Sequence, residues 1–308
     1  MITNIPIWQS LLSDAAMRLQ LKIDSFCVER NEKESPRYFH ADVGDAKQSA
    51  TKWRMKVVNQ SRDDWEAVQN CNSYNNSVHA RLINANALRK IVLLPEHFNL
   101  PSEFWEQYNL SELIHGNVPS TRDFELIVEV LVNVQLNRGE IVQQLKREYR
   151  APWRQIDETD YRQRVEDSLR GLTGIVDSGR IRRGFKVRWF PGDIPADIKT
   201  FAHGDFSFGN LKLVGQTIAL IDFEHSHIGL GCVDVAHLYV NLFANGRTKD
   251  AATLRQLYET KILNHNLWFQ DKIFEALIIE RITGKMNSIK DRTRKEFSQL
   301  KDLLNSFS

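Results

Sequence analysis

The residues best suited to chemistry lie in HGDFSFGN, His203 to Asn210, and in IDFE, Ile221 to Glu224. Asp205 and Asn210 stand five residues apart in a loop of polar and small residues. That loop runs into LKLVG, Gly215-Gln216 makes a tight turn, and the apolar run TIALIDF reads as a buried strand ending at Asp222. Asn210 enters the first strand of this expected hairpin and Asp222 leaves the second, so antiparallel pairing brings amide and carboxylate together. Such oxygens make a hard site that suits magnesium when phosphate oxygens complete its shell. Asp205, upstream on the same loop, is placed to accept the proton of an attacking hydroxyl. Asp and Asn are also ordinary turn residues whose side chains bond nearby backbone, so it is their joint spacing that points to chemistry.

One carboxylate orienting a nucleophile while metal-bound Asp and Asn neutralise phosphate charge is the division of labour in phosphoryl transfer. The spacing His-x-Asp-x-x-x-x-Asn matches the kinase catalytic loop, with IDF in place of DFG. With GLGCVDVA, Gly229 to Ala236, these motifs resemble the aminoglycoside phosphotransferase and choline kinase-like family of small-molecule kinases. The resemblance implies an α+β, bilobal protein kinase-like fold with a small β-rich N-lobe and a larger, mainly helical C-lobe. It further implies Asp205 as catalytic base, Asn210 and Asp222 as magnesium ligands, Asp234 as the group that steadies the loop, and ATP as phosphoryl donor. His203 would brace the loop by hydrogen bonding. Glu224 is either near the metal or an exposed acid. His225 and His227 lack a third zinc ligand and read as loop residues, and Asp234 could also cap the helix VAHLYVNLF.

The elements that must position these groups change character along the chain. Most of the first hundred residues read as strands, in DSFCVER, PRYFHADV, TKWRMKVV and LRKIVLLPEHF, with a short helix after Ser61 that carries Trp65 and Val68. Residues 1–98 are thus expected to form the nucleotide-binding lobe, 99–119 a linker, and 120–308 the helical lobe with the catalytic loop and acceptor site. Lys56, in the third strand-like run, is the preferred phosphate lysine, with Glu66 on the candidate helix to orient it and Lys52 as its rival. No GxGxxG occurs in this region, and Gly44 is its only glycine. Phosphates would be covered by NEKES or GDAKQSA, and adenine would contact backbone near Leu94 to Phe98. Ser120-Thr121-Arg122-Asp123 has the form of a capping box before FELIVEVLVNVQLN, where the period turns helical. Residues 141–190 are basic and broken by Gly171, Gly174, Gly179 and Gly184, which suggests a loop-rich insertion.

The 41 basic and 39 acidic residues balance too closely to argue for nucleic acid or an anionic membrane from overall charge. Three widely spaced cysteines, Cys27, Cys71 and Cys232, suggest neither disulfides nor zinc, and no apolar run reaches the length of a membrane span, so a cytoplasmic protein is expected. The expected activity is ATP- and Mg2+-dependent transfer of the γ-phosphoryl group to a hydroxyl of a small molecule. Residues 146–188 hold 12 Lys or Arg against 7 acids, which admits an anionic or macromolecular acceptor, RNA or protein, as an alternative. A solvated basic surface explains them as well. A non-catalytic binding module on the same scaffold is the remaining alternative. The acceptor's identity, the oligomeric state and the choice of ATP over GTP stay open.

Overall fold

Alternation of apolar and polar residues in the amino-terminal part produces one antiparallel sheet. A computed structural model of the chain describes residues 5–30, 36–45, 52–58, 74, 76–82, 84–96, 100–101, 108–146, 154–189, 195, 198–289 and 291–307. Strands β1 (Leu21–Arg30), β2 (Pro36–Asp45), β3 (Lys52–Val58) and β4 (Tyr108–Glu112) pair in the order β1-β2-β3-β4. Ala41 faces Met55 and Met55 faces Leu110 across the ladder, and all three are fully buried. The helix α1 (Ile5–Arg18) lays Leu12, Ala15 and Ala16 into the same core. One residue along from Ala41 and Met55, Asp42 and Arg54 point to the other face, where Arg54 Nε donates to Asp42 Oδ1 at 2.9 Å. One face is therefore core and the other wet, as a period of two requires.

Two expectations for this region change. The described residues of LRKIVLLPEHF, up to Glu96, form no strand: Asn86–Arg89 form the short helix α3, and among them only Leu93 makes a bridge, to Ala219. Leu88 and Val92, four residues apart and both buried, fit a helical turn better than an alternating strand. The fourth strand is instead YNLSE, Tyr108–Glu112, inside the segment 99–119 that reads as linker. Its Tyr108 and Leu110 alternate inward, but five residues with three polar ones give a weak signal. Residues 76–82 form helix α2, while the candidate helix with Trp65, Glu66 and Val68 lies outside the described residues. Met1–Ala85, Leu94–His115 and Arg147–Pro152 make up this compact unit.

The second unit comprises Asn86–Leu93, Gly116–Lys146 and Trp153–Ser308. Its helix α4 (Phe124–Leu136) follows a turn capped as the sequence suggests: Ser120 Oγ accepts from Arg122 N, and Asp123 Oδ2 accepts from Ser120 N at 2.7 Å. Helix α5 (Arg138–Leu145) comes next. The segment expected to be loop-rich then folds largely into α6 (Glu158–Gly171) and α7 (Ser178–Arg188), whose first turns Asp157 and Asp177 cap. Both helices pack on α10 (Asp271–Ser288), in which Ile273, Phe274, Leu277, Ile278 and Ile282 are buried. Strand β5 (Lys199–Ala202) pairs antiparallel with β8 (His227–Leu230), and β6 (Leu211–Val214) with β7 (Thr217–Leu220). Helices α8 (Val233–Ala244), α9 (Thr248–Asn264) and α11 (Lys295–Ser306) complete the unit. No helix among the described residues is long and apolar enough to cross a membrane.

Leu110 is the residue that ties β4 to the sheet core. Leu110→Ala is expected to lower the unfolding free energy by roughly 2–5 kcal/mol in denaturant titration. A change below about 0.5 kcal/mol, the size of a surface substitution, would place Leu110 outside that core.

Candidate active site

The site begins where β5 ends. The carboxylate of Asp234, in the first turn of α8, accepts the backbone N–H groups of His203 at 2.8 Å and Gly204 at 2.9 Å. Among the described residues it bonds only these two N–H groups and none of its own helix, so Asp234 holds the loop and does not cap α8. Asp234 is buried, and burial pushes its carboxyl above the usual range, while His203 and the two N–H bonds pull it back. Gly204 adopts φ +77°, and a Cβ there would fall 2.2 Å from the carbonyl oxygen of His225, so only glycine fits. That carbonyl is itself fixed by Nδ1–H of buried His227 at 2.9 Å.

His203 connects this loop to the IDFE turn. Its Nε2 bonds Ile221 O at 2.9 Å, and its Nδ1 lies 3.4 Å from Asp205 N. The ring packs on Phe223 and against the edge of Phe206, both buried. Phe223 anchors the turn, and its neighbour Asp222 is left exposed at φ +66°, a left-handed conformation that Asp tolerates better than most residues.

The β6–β7 hairpin folds as expected. Gly215 takes φ +61° in its two-residue turn, Leu211 pairs with Leu220, and Ile221 N donates to Asn210 O at 3.0 Å. Asn210 and Asp222 therefore flank the open end of the ladder, opposite the turn. Nδ2 of Asn210 donates to the backbone oxygen and to Oδ2 of Asp205, each at 2.9 Å, which fixes the carboxylate and turns the amide oxygen away. That oxygen and the Asp222 carboxylate have no hydrogen-bond partner among the described residues, the condition a hard cation needs. No three His, Cys, Asp or Glu side chains gather into a metal site among the described residues, and His227, expected in a loop, is the buried first residue of β8. Glu224 lies 3.5 Å from His225.

Two further groups meet Asp205. His237 on α8 and Arg281 on α10 approach Asp205 Oδ1 at 3.3 and 3.4 Å. Sequence reasoning gave neither of them. The available signal was a charged pair, Glu280-Arg281, inside the otherwise apolar run ALIIERI. Lys56 lies on β3, paired with His40 and Asn109 in the strand-rich unit. Glu66 lies outside the described residues.

Residues 89–268 match the phosphotransferase enzyme family. The chain belongs to this family. Among solved structures, this phosphotransferase is similar to choline kinase LicA from Streptococcus pneumoniae, at 12% identity and a TM-score of 0.61, covering 98% of this chain and 99% of that one. An amicoumacin kinase in complex with AMP-PNP and Ca2+ gives 12% identity and 0.62, over 100% and 96% of the two chains. An aminoglycoside 2'-phosphotransferase in its GDP complex gives 12% and 0.58, over 97% of each. These likenesses establish the protein kinase-like, bilobal α+β fold. No significant match was found among curated protein sequences. The phosphotransferase is an enzyme that acts on an alcohol group, as its family does.

The brace behind the loop has a pH signature. Burial pushes His227 down to about 4, with Arg164, Arg281 and Arg154 adding to the effect and its bond to the His225 carbonyl opposing it. Between that value and the unfolded value near 6.5, the unfolded chain binds more protons, so stability is full above about pH 6.5 and falls on acidification. From pH 7 to pH 4 this group alone is expected to remove about 3 kcal/mol. Denaturant titrations across that range should show a shallower slope in His227→Asn, and an unchanged slope would contradict the assignment.

Proposed function

We propose that the protein transfers the γ-phosphoryl group of ATP to a hydroxyl of a small molecule with Asp205 as the catalytic base. The observation that carries this reading is the junction of Asp205, Asn210 and Asp222 at one hairpin end, with Asn210 bonded to Asp205. Asp205 orients the acceptor hydroxyl and takes its proton as the new bond to phosphorus forms. Asn210 keeps the carboxylate from rotating and, with Asp222, presents the oxygens that would hold Mg2+. When bound there, that ion neutralises charge on the nucleotide phosphates. Lys56 is the proposed phosphate lysine, with Glu66 to orient it. Residues 1–98 serve as the nucleotide-binding lobe and 120–308 as the lobe for the acceptor, in a cytoplasmic enzyme.

The small-molecule acceptor is supported by neighbours that include kinases of choline and amicoumacin. The basic segment gives little support to RNA or protein. Arg164, Arg170, Arg182 and Arg188 within it pair with Glu280, Asp167, Glu166 and Glu275.

Incubation with labelled ATP, Mg2+ and the small-molecule fraction of a cell extract should yield a labelled product. Asp205→Ala is expected to cut its rate of formation by roughly 100- to 10,000-fold while leaving Tm and nucleotide affinity near wild type. Full transfer by the purified variant would overturn the role of Asp205. In a separate titration, Asp222→Ala should abolish the gain in nucleotide affinity produced by Mg2+. Retention of the whole gain would remove Asp222 from the metal site.

A further inference from the structure

We infer that Arg281 is a catalytic residue, the cation that stabilises the phosphoryl group as it passes to the acceptor beside Asp205. The inference rests on Asp205 being the base. Phosphoryl transfer spreads negative charge over the migrating group, and a positioned arginine is the side chain best matched to it. None of residues 203–210 or 221–228, which form the loop and the IDFE turn, is Lys or Arg. The fold instead brings one from α10, 76 residues downstream of Asp205.

Arg281 uses a single nitrogen for its local contacts. Nη2 lies 3.2 Å from Gly204 O, 3.4 Å from Asp205 Oδ1, and 2.5 and 2.6 Å from the two ring nitrogens of His237. Nε and Nη1 have no hydrogen-bond partner among the described residues, and 28% of the side chain is exposed beside a carboxylate that is 36% exposed. Two donors of the guanidinium thus remain for a ligand at the base. His237 does not compete as a cation, since burial and Arg281 itself hold its ring well below the usual histidine range. Neighbouring Glu280 pairs with Arg164 of α6 at 3.7 Å and also places negative charge beside the guanidinium, which favours its charged form. Buried Ile278 and Ile282 fix the helix on either side, so the cation stands on a rigid element.

In the step itself, the acceptor oxygen bonds to the γ-phosphorus and the bond to the bridging oxygen breaks. The bridging oxygen leaves with the electron pair on ADP, and the acceptor's proton passes to Asp205. Arg281 stays protonated throughout and donates N–H to a γ-oxygen, more strongly in the transition state than before it.

The test needs no identified acceptor. Release of labelled phosphate from ATP to water is measured with Mg2+ in wild type, Arg281→Gln and Arg281→Lys, together with Tm. Affinity for ADP with aluminium fluoride, a mimic of the transferring group, is measured beside affinity for ATP. The Gln variant is expected to lose roughly 100- to 1,000-fold in turnover and in affinity for the mimic, with ATP affinity within about threefold and Tm near wild type. The Lys variant, which keeps the charge, should recover part of both. The inference is overturned if mimic and ATP affinities fall together, if neither changes, or if Lys is no better than Gln. A wild-type protein that binds neither ATP nor the mimic would instead overturn the phosphotransferase mechanism on which the inference stands.

Discussion

A carboxylate buried beneath a loop is stable only if its lone pairs are filled, and Asp234 fills them with the N–H groups of His203 and Gly204. The rest of the site follows from that constraint. Because two successive N–H groups must point inward, the chain leaves β5 through a left-handed glycine pressed on the His225 carbonyl. The imidazole of His203 then spans from Asp205 N to Ile221 O, so the loop and the turn that bears Asp222 share one support. Every link in this series is backbone or buried side chain. Asp205 and Asp222 project from it into solvent, preorganised before any ligand arrives.

Much of this site was legible because the chemistry fixes distances along the chain. A base and a metal ligand on one loop must be a few residues apart, and a hairpin with Gly215 at its turn returns Asp222 to Asn210 in only 12 residues. The capping box at Ser120 was legible for a similar reason, since its partners lie within one turn. What the sequence hid depends on distant partners. Strand β4 is half polar and takes its identity from Met55 across the ladder, whereas the more apolar Leu88 to Glu96 joins a sheet only through the Leu93 bridge among the described residues. Helices α6 and α7 looked like loop because their mean hydropathy is low and glycines interrupt them, yet Asp157 and Asp177 start both.

Charge was the least legible property, and the reason is instructive. The basic run from 146 to 188 suggested an anionic ligand, but a count of arginines does not reveal which have partners. In the fold, Arg164 and Arg188 reach across to acids of α10, and Arg182 joins α7 to Glu166 of α6. Those arginines pin helix to helix. The cation that meets the base comes from α10, where the charged pair Glu280-Arg281 interrupts a run of buried apolar residues.

Glu280 and Arg281 show how one helix separates these two uses of charge. Successive residues on a helix diverge by about 100°, so the pair cannot satisfy each other fully. Glu280 turns to Arg164 on α6, and Arg281 turns to Asp205 and His237. Burial favours neutral Glu280, and the two arginines beside it oppose that shift. Glu280 thus lies between two guanidiniums, Arg164 of α6 and Arg281 of its own helix, and it is Arg281 that reaches the base. The charge beside the base comes from α10, which meets the loop at Gly204 O and Asp205.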